Sequence, residues 1–160
     1  MFRLIPAPLH RAVLPLAHAI RHRWRKFSKR PIAGCSVFIT DFGGALLLLR
    51  HSYGPEGWAL PGGGIKPSED PEATAIREVQ EELGLTLPSI TALGTIEEVL
   101  SGAPHTAHLF TAVCNEHPRP DRREILEARF FPMHSLPEPL NSKTRSRLEH
   151  WQSQRKQGET

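Results

Sequence analysis

An α+β domain is the fold class this chain predicts, on three observations. Short runs rich in β-branched and apolar residues, Ile32–Thr40 above all, are separated by clusters of Gly, Pro, Asp and Ser. Two other segments, 70–84 and from 141 onward, place apolar residues at helical spacing behind good capping residues. At 160 residues the chain is long enough for one sizeable core and too short for two.

The elements follow in order. Residues 1–30 form a basic arm with eight of the twenty Lys and Arg and no acid, so the net charge of +3 divides into +8 for the arm and −5 for the remainder. The calculated pI of about 9.2 therefore describes the arm. Leu9, Val13, Leu16, Ile20, Trp24 and Phe27 recur at three- and four-residue spacing, with Arg11, His18, His22, Arg25 and Lys29 largely elsewhere around the helix. Pro15 either kinks this amphipathic helix or starts it. Three roles stay open: docking on the domain or on a second copy in a homodimer, peripheral membrane contact, and a transit peptide. A secretory signal is not expected, because His10, Arg11, His18 and Arg21 break the apolar run. No span approaches the length needed to cross a bilayer. Specific nucleic-acid binding is not expected, because only Trp24 and Phe27 interleave the basic residues.

Beyond the arm, Ile32–Thr40, the turn Asp41-Phe42-Gly43-Gly44 and Ala45–Arg50 predict a hairpin. Trp58-Ala59-Leu60 predicts a short strand entering the loop Pro61-Gly62-Gly63-Gly64, which can adopt unusual dihedrals and bring backbone close to a ligand. Ile90–Leu100 and Thr106–Cys114 predict a second antiparallel pair around Ser101–Pro104. The polar stretch Asn115–Arg123 predicts a surface loop, and Ala128–Phe131 a last strand. A final helix starts at Asn141 or Ser142, with Leu148 and Trp151 facing inward.

The segment after the glycine loop carries the chemistry. Asp70 is a good N-cap, Pro71 suits the first helical position, and Gly84 stands where a C-terminal cap belongs. Ala73, Ile76, Val79 and Leu83 form an apolar stripe, and Glu78, Glu81 and Glu82 share another face at spacings of three and four. Like charges so spaced repel by a few tenths of a kcal/mol per pair, which makes sense where a cation sits against them.

Gly63, five residues, Glu69, seven residues, then Arg77-Glu78-Val79-Gln80-Glu81-Glu82-Leu83-Gly84-Leu85 resembles the Nudix box without a departure. Seven fixed residue types at ordinary usage of roughly 6% each coincide a few times in a billion random starts. Looser similarity extends from about Ile32 to Trp151. The resemblance implies a Nudix-type α/β/α sandwich with a mixed sheet over 31–157. It also implies hydrolysis of a nucleoside diphosphate linked to another group, dependent on Mg2+ with Mn2+ as a substitute. Hard cations neutralise a diphosphate and polarise its phosphoryl oxygens, and Mg2+ uses only one or two carboxylates, completing its shell with waters and phosphate oxygens.

By the same resemblance Glu78, Glu81, Glu82 and the Gly63 carbonyl are the metal ligands. Arg77 then holds a carboxylate in place, Glu69 being one candidate. Glu78 is the first choice for general base, ahead of Glu97, Glu98 and Glu124. Arg50, Trp58 and Glu124 are candidates for contacting substrate. The subgroup signatures are missing: Leu100 and Ser101 stand where a proline marks ADP-ribose hydrolases, and the single tyrosine, Tyr53, precedes the box. A non-catalytic Nudix-fold nucleotide-binding or membrane-associated module is the alternative, and the full set of box carboxylates weighs against it. Cys35 and Cys114 read as buried thiols in a reducing, cytoplasmic compartment, and His105 and His108 as an exposed pair.

Overall fold

The computed structural model describes residues 32–100 and 102–158; the basic arm over 1–30 lies outside them. The elements are β1 (Ile32–Thr40), β2 (Leu46–His51), β3 (Gly64–Ile65), α1 (Pro71–Leu83), β4 (Thr91–Leu100), β5 (Ala103–Val113), β6 (Ile125–Phe131) and α2 (Ser142–Gly158). Six strands make one mixed sheet in the order β4-β5-β1-β2-β6, with β3 against β1. β1 and β5 run parallel, from Ile32 opposite His105 to Thr40 opposite Val113, and the other pairings are antiparallel.

Side chains alternate across the sheet and so build two cores. Cys35, Val37 and Ile39 of β1, with Leu47 and Leu49 of β2, pack beneath Ala75, Val79 and Leu83 of α1. Phe38, Leu46 and Leu48 face the other way, against Leu148 and Trp151 of α2. Phe38 stacks on Trp151 with ring centroids 4.5 Å apart. The result is an α/β/α sandwich.

The predicted hairpin opens rather than pairs. Asp41 Oδ1 accepts from the Ala45 N–H at 2.9 Å and closes the turn, yet Thr40 and Leu46 are the registered pair between β1 and β2. The strands then diverge, and residues 59–63 run between them. Leu49 and Ala59 exchange backbone hydrogen bonds at 2.9 and 2.8 Å on one side. On the other, Val37 N–H donates to the Pro61 carbonyl and Cys35 N–H to the Gly63 carbonyl, both at 2.9 Å. The glycine loop is thereby woven into the sheet, which settles the backbone groups of a loop that would otherwise be buried unpaired. Trp58–Leu60 makes only isolated bridges, Leu49 to Ala59 and Trp58 to Leu140, instead of the predicted strand. β5 and β6 each start three residues before the predicted boundary.

Candidate active site

The glycine loop and α1 meet at a crowded point. Asp70 is extended (φ −72°, ψ 127°) and its carboxylate accepts from the Ala73 N–H at 2.8 Å, starting the helix. Gly84 ends it in the left-handed region, its N–H donating to the Gln80 carbonyl. The buried face is Thr74, Ala75, Val79, Glu82 and Leu83. This corrects the predicted stripe: Ala73 is exposed and Ile76 half-buried, because α1 is rotated to carry its carboxylates toward the loop.

The three clustered carboxylates therefore separate. Glu82 is buried and accepts from the Gly62 N–H at 3.2 Å. Glu78 is half-buried against Gly63, while Glu81 stays exposed. Arg77 gathers the outer acids, lying 2.9 Å from Glu78, 3.3 Å from Glu81 and 4.0 Å from Glu69. Glu69 Oε2 also accepts from the Lys66 N–H at 3.0 Å. That bond, ahead of Lys66 and Arg77, holds the Glu69 carboxyl below its ordinary value. Burial raises the Glu78 carboxyl, opposed by Arg77. Burial raises Glu82 well above the usual range; Gly62 N–H opposes this, while Glu78, Glu124 and Asp121 add like charge.

A later loop adds further acids. Asp121 Oδ1 accepts from the N–H groups of Arg123, Glu124 and Ile125 at 2.9, 3.0 and 2.9 Å, folding the chain sharply beside α1. The loop is tied to the helix end by Arg119 N–H donating to Leu83 carbonyl at 2.7 Å and Asp121 N–H to Glu82 carbonyl at 3.3 Å. Glu124 accepts from the Tyr53 hydroxyl at 3.2 Å, and its charge reaches both Glu78 and Glu82. Asp121 is absent from the sequence-derived candidates. Its signal was the run Pro120-Asp121-Arg122-Arg123, where an aspartate after proline can bond the backbone ahead of it.

The other candidates lie apart from this cluster. Arg50 covers the Trp58 ring at 5.5 Å and pairs with Glu127 at 3.1 Å, and Trp58 is buried edge-on to Phe131. Glu97 accepts from the Thr106 hydroxyl at 3.0 Å on β4. Glu98 is bound to Arg147 of α2 at 2.6 Å and lies 2.9 Å from His105 Nδ1. His105 is buried, correcting the exposed pair expected with His108, because β5 starts earlier and turns residue 105 inward. Cys35 and Cys114 are free and buried. Burial pushes the Cys35 thiol up to about 11.

A cavity of about 260 Å³ adjoins the glycine loop on the α2 side, lined by Gly34, Ser36, Gly62–Gly64, His105, the first turn of α2 and Arg147 among others. A second, of about 460 Å³, lies beyond the Ser52–Gly57 loop beside Arg50 and Trp58.

The donor set suits a hard divalent ion. Glu82 is a buried carboxylate among like charges, and among the described residues no Lys, Arg or His pairs with it. No three His, Cys, Asp or Glu side chains of the described residues converge as a ready-made cage. Such a partial shell fits an ion that keeps waters and takes the remaining ligands from a phosphate. The Gly63 carbonyl accepts from Cys35 N–H and from the Cys35 thiol at 3.6 Å, so β1 already occupies this expected ligand.

Comparison with known proteins settles the family. The NUDIX domain model matches residues 30–152. The chain belongs to the Nudix family. A Nudix relative, diphosphoinositol polyphosphate phosphohydrolase 3-alpha of Mus musculus, is 34% identical over 90 residues, 56% of this chain and 53% of that protein. The RNA pyrophosphohydrolase of Saccharophagus degradans is 40% identical over 68 residues, 42% of this chain and 39% of its own. This chain thus spans about half the length, or less, of the curated relatives it matches. Among solved structures, the MutT NUDIX hydrolase of Burkholderia pseudomallei is similar at 31% identity and a TM-score of 0.67, covering 75% of this chain and 97% of its own. The NUDIX domain of Shewanella oneidensis NrtR, complexed with ADP ribose, shares the fold at 18% identity and a TM-score of 0.66, covering 86% and 97%. No helix of the described residues is long and apolar enough to cross a membrane.

Proposed function

We propose that this protein hydrolyses a phosphoanhydride bond in a nucleoside diphosphate linked to another group, with Mg2+, or Mn2+ in its place. The observation that supports it is the buried Glu82 beside Glu78 at the glycine loop, with like charge around it and, among the described residues, no Lys, Arg or His paired with it. Glu82 and Glu78 would hold the ion, with Glu81 farther out and Gly63 shaping the loop that faces them. When bound, the ion supplies charge neutralisation of the diphosphate and a lowered pKa for bound water.

The chain's own residues then divide the remaining work. Arg77 fixes Glu78 and restrains Glu69. Glu78 is the base in this reading, since it is half-buried at the glycine loop beside Glu82, where water on the ion would come within its reach. Glu124, held by Tyr53, adds charge from the later loop. Arg50 and Trp58 would contact substrate from the second cavity. The relatives' names point to pyrophosphate linkages on varied carriers, so carrier identity is set outside the box. Cytoplasmic residence fits the two free, buried thiols. The basic arm over 1–30, outside the 31–157 domain, would dock on that domain or on a second copy, or contact a membrane surface.

The test is a substrate panel with Mg2+, read by product chromatography. It includes nucleoside di- and triphosphates, dinucleotides, nucleotide sugars, ADP-ribose, a diphosphoinositol polyphosphate and 5′-triphosphorylated RNA. Turnover of at least one compound, abolished by EDTA, is expected. Saturable binding with no product under Mg2+ or Mn2+ would make this a binding module instead.

A further inference from the structure

Behind the glycine loop, on the α2 side of the sheet, four polar side chains join four elements, β1, β4, β5 and α2. Arg147 donates from Nη1 to the Ser36 hydroxyl at 2.7 Å and from Nη2 to Glu98 at 2.6 Å. The same Glu98 oxygen lies 2.9 Å from His105 Nδ1. That contact is short but not well aligned, electrostatic more than a directed hydrogen bond. An anionic oxygen so close repels a ring lone pair and favours a hydrogen on Nδ1. His105 and Arg147 are only 6% and 8% exposed, so the ring's orientation is fixed by packing as well as by charge.

Nε2, on the other side of the ring, faces Gly34. His105 lines the cavity of about 260 Å³ together with Gly62 and Gly63. A Cβ at Gly34 would lie 3.0 Å from Nε2 and 3.2 Å from the Gly63 carbonyl oxygen, so the absence of a side chain there brings the ring and the glycine loop onto one small space. Burial, with Arg147 and Lys143 nearby, outweighs Glu98 and keeps the ring neutral near pH 7. A neutral ring with hydrogen on Nδ1 has a lone pair on Nε2.

We propose that His105 binds substrate: Glu98, anchored by Arg147, holds the ring so that Nε2 accepts from a hydroxyl or amino group on the moiety joined to the anhydride. Glu98 is the positioning residue. The inference rests on the hydrolase reading and deepens it, by assigning the cavity on the α2 side to a hydrogen-donating carrier.

Two-bond 1H–15N spectra of the full chain, with the His105 signal identified through His105→Gln, read the tautomer directly. Hydrogen on Nδ1 is expected in the wild type, and a shift toward hydrogen on Nε2 in Glu98→Leu, which removes the anionic oxygen and leaves the Arg147 donors beside the ring. Hydrogen on Nε2 in the wild type would overturn the proposal. On a turned-over panel compound, Glu98→Leu and His105→Phe should raise KM roughly tenfold more than they lower kcat, the scale of one lost hydrogen bond. His105→Gln, which keeps an acceptor near Nε2, should recover most of that KM. An unchanged KM, or a loss confined to kcat, would overturn the proposal. If no panel compound is turned over, the hydrolase reading fails separately. Calorimetric binding of ADP-ribose with Mg2+ then decides: weaker binding by His105→Phe supports the role of His105, and equal or absent binding removes it.

Discussion

Glu78 fills the space that a side chain on residue 63 would need: a Cβ built at Gly63 would lie 2.5 Å from Glu78 Cδ and 2.8 Å from its Oε2. The first residue of the box is thus glycine because a carboxylate from fifteen residues downstream rests on it, not because its backbone is twisted. Gly62 differs. It has φ +147°, and its Cβ would strike the Cys35 carbonyl oxygen at 2.1 Å.

The two glycines should therefore fail in different ways. Gly63→Ala displaces the flexible end of Glu78, so turnover should fall at least tenfold while the urea midpoint moves by less than about 1 kcal/mol in equivalent stability. Gly62→Ala drives backbone into backbone and should cost roughly 2 kcal/mol or more. Equal destabilisation by both would show that Glu78 does not occupy the space above residue 63.

Glu82→Gln should reduce turnover at least tenfold and alter stability in the opposite sense. Burial holds the Glu82 carboxyl above its ordinary value of 4.5, so between that value and the folded one the native state binds more protons than the unfolded chain. Stability contributed by the protonated carboxyl is present below the unfolded value and is lost as pH rises through the folded value. In EDTA, the wild type should lose stability relative to Glu82→Gln as pH rises from 4.5 upward, and Mg2+ should restore it in the wild type alone. Parallel pH profiles of melting temperature for the two proteins would contradict this.

Arg77→Lys tests whether one planar cation is needed. A lysine offers a single point charge and cannot reach Glu78, Glu81 and Glu69 together. These pairs are partly exposed, so stability should change by under about 1 kcal/mol. Steady-state kinetics should show kcat reduced severalfold as Glu78 loses its restraint. Full activity in the lysine variant would leave Arg77 as an ordinary surface charge.

Arg147→Ala strips the partner from Glu98 and from the Ser36 hydroxyl. The expected loss is roughly 2–3 kcal/mol by chemical denaturation, short of the full cost of orphaning a buried charge because Glu98 keeps some solvent contact. Pairing Arg147→Met with Glu98→Leu should be less destabilising than Arg147→Ala alone, since no charge is left unpaired. A larger loss in the double variant would show that packing, not charge, dominates there.

What the sequence made legible was what neighbouring residues decide together. Asp70, Pro71 and Gly84 bound α1 because capping is a matter of a few consecutive dihedrals, and Glu78 and Glu82 could be placed on one face by counting. Asn141 likewise caps α2, accepting from the Thr144 N–H at 2.8 Å. Pairings between distant residues were not legible. The parallel contact of β1 with β5 joins segments some seventy residues apart and leaves no turn to announce it. The burial of His105 follows from that pairing, and so does its closeness to the glycine loop. Nor could helical counting show that Glu82 would be buried and Glu81 left in water. The rotation of α1 is set by the sheet beneath it, where Val79 and Leu83 find Val37, Ile39 and Leu47.

The ties from Arg119 and Asp121 to the end of α1 carry an evolutionary implication. Because the stretch 119–124 is clamped to the helix that bears Glu78 and Glu82, substitutions there can retune the field around those acids while leaving the sandwich intact. Divergence in that short span is a route by which paralogues sharing an identical box could come to prefer different metals or working pH.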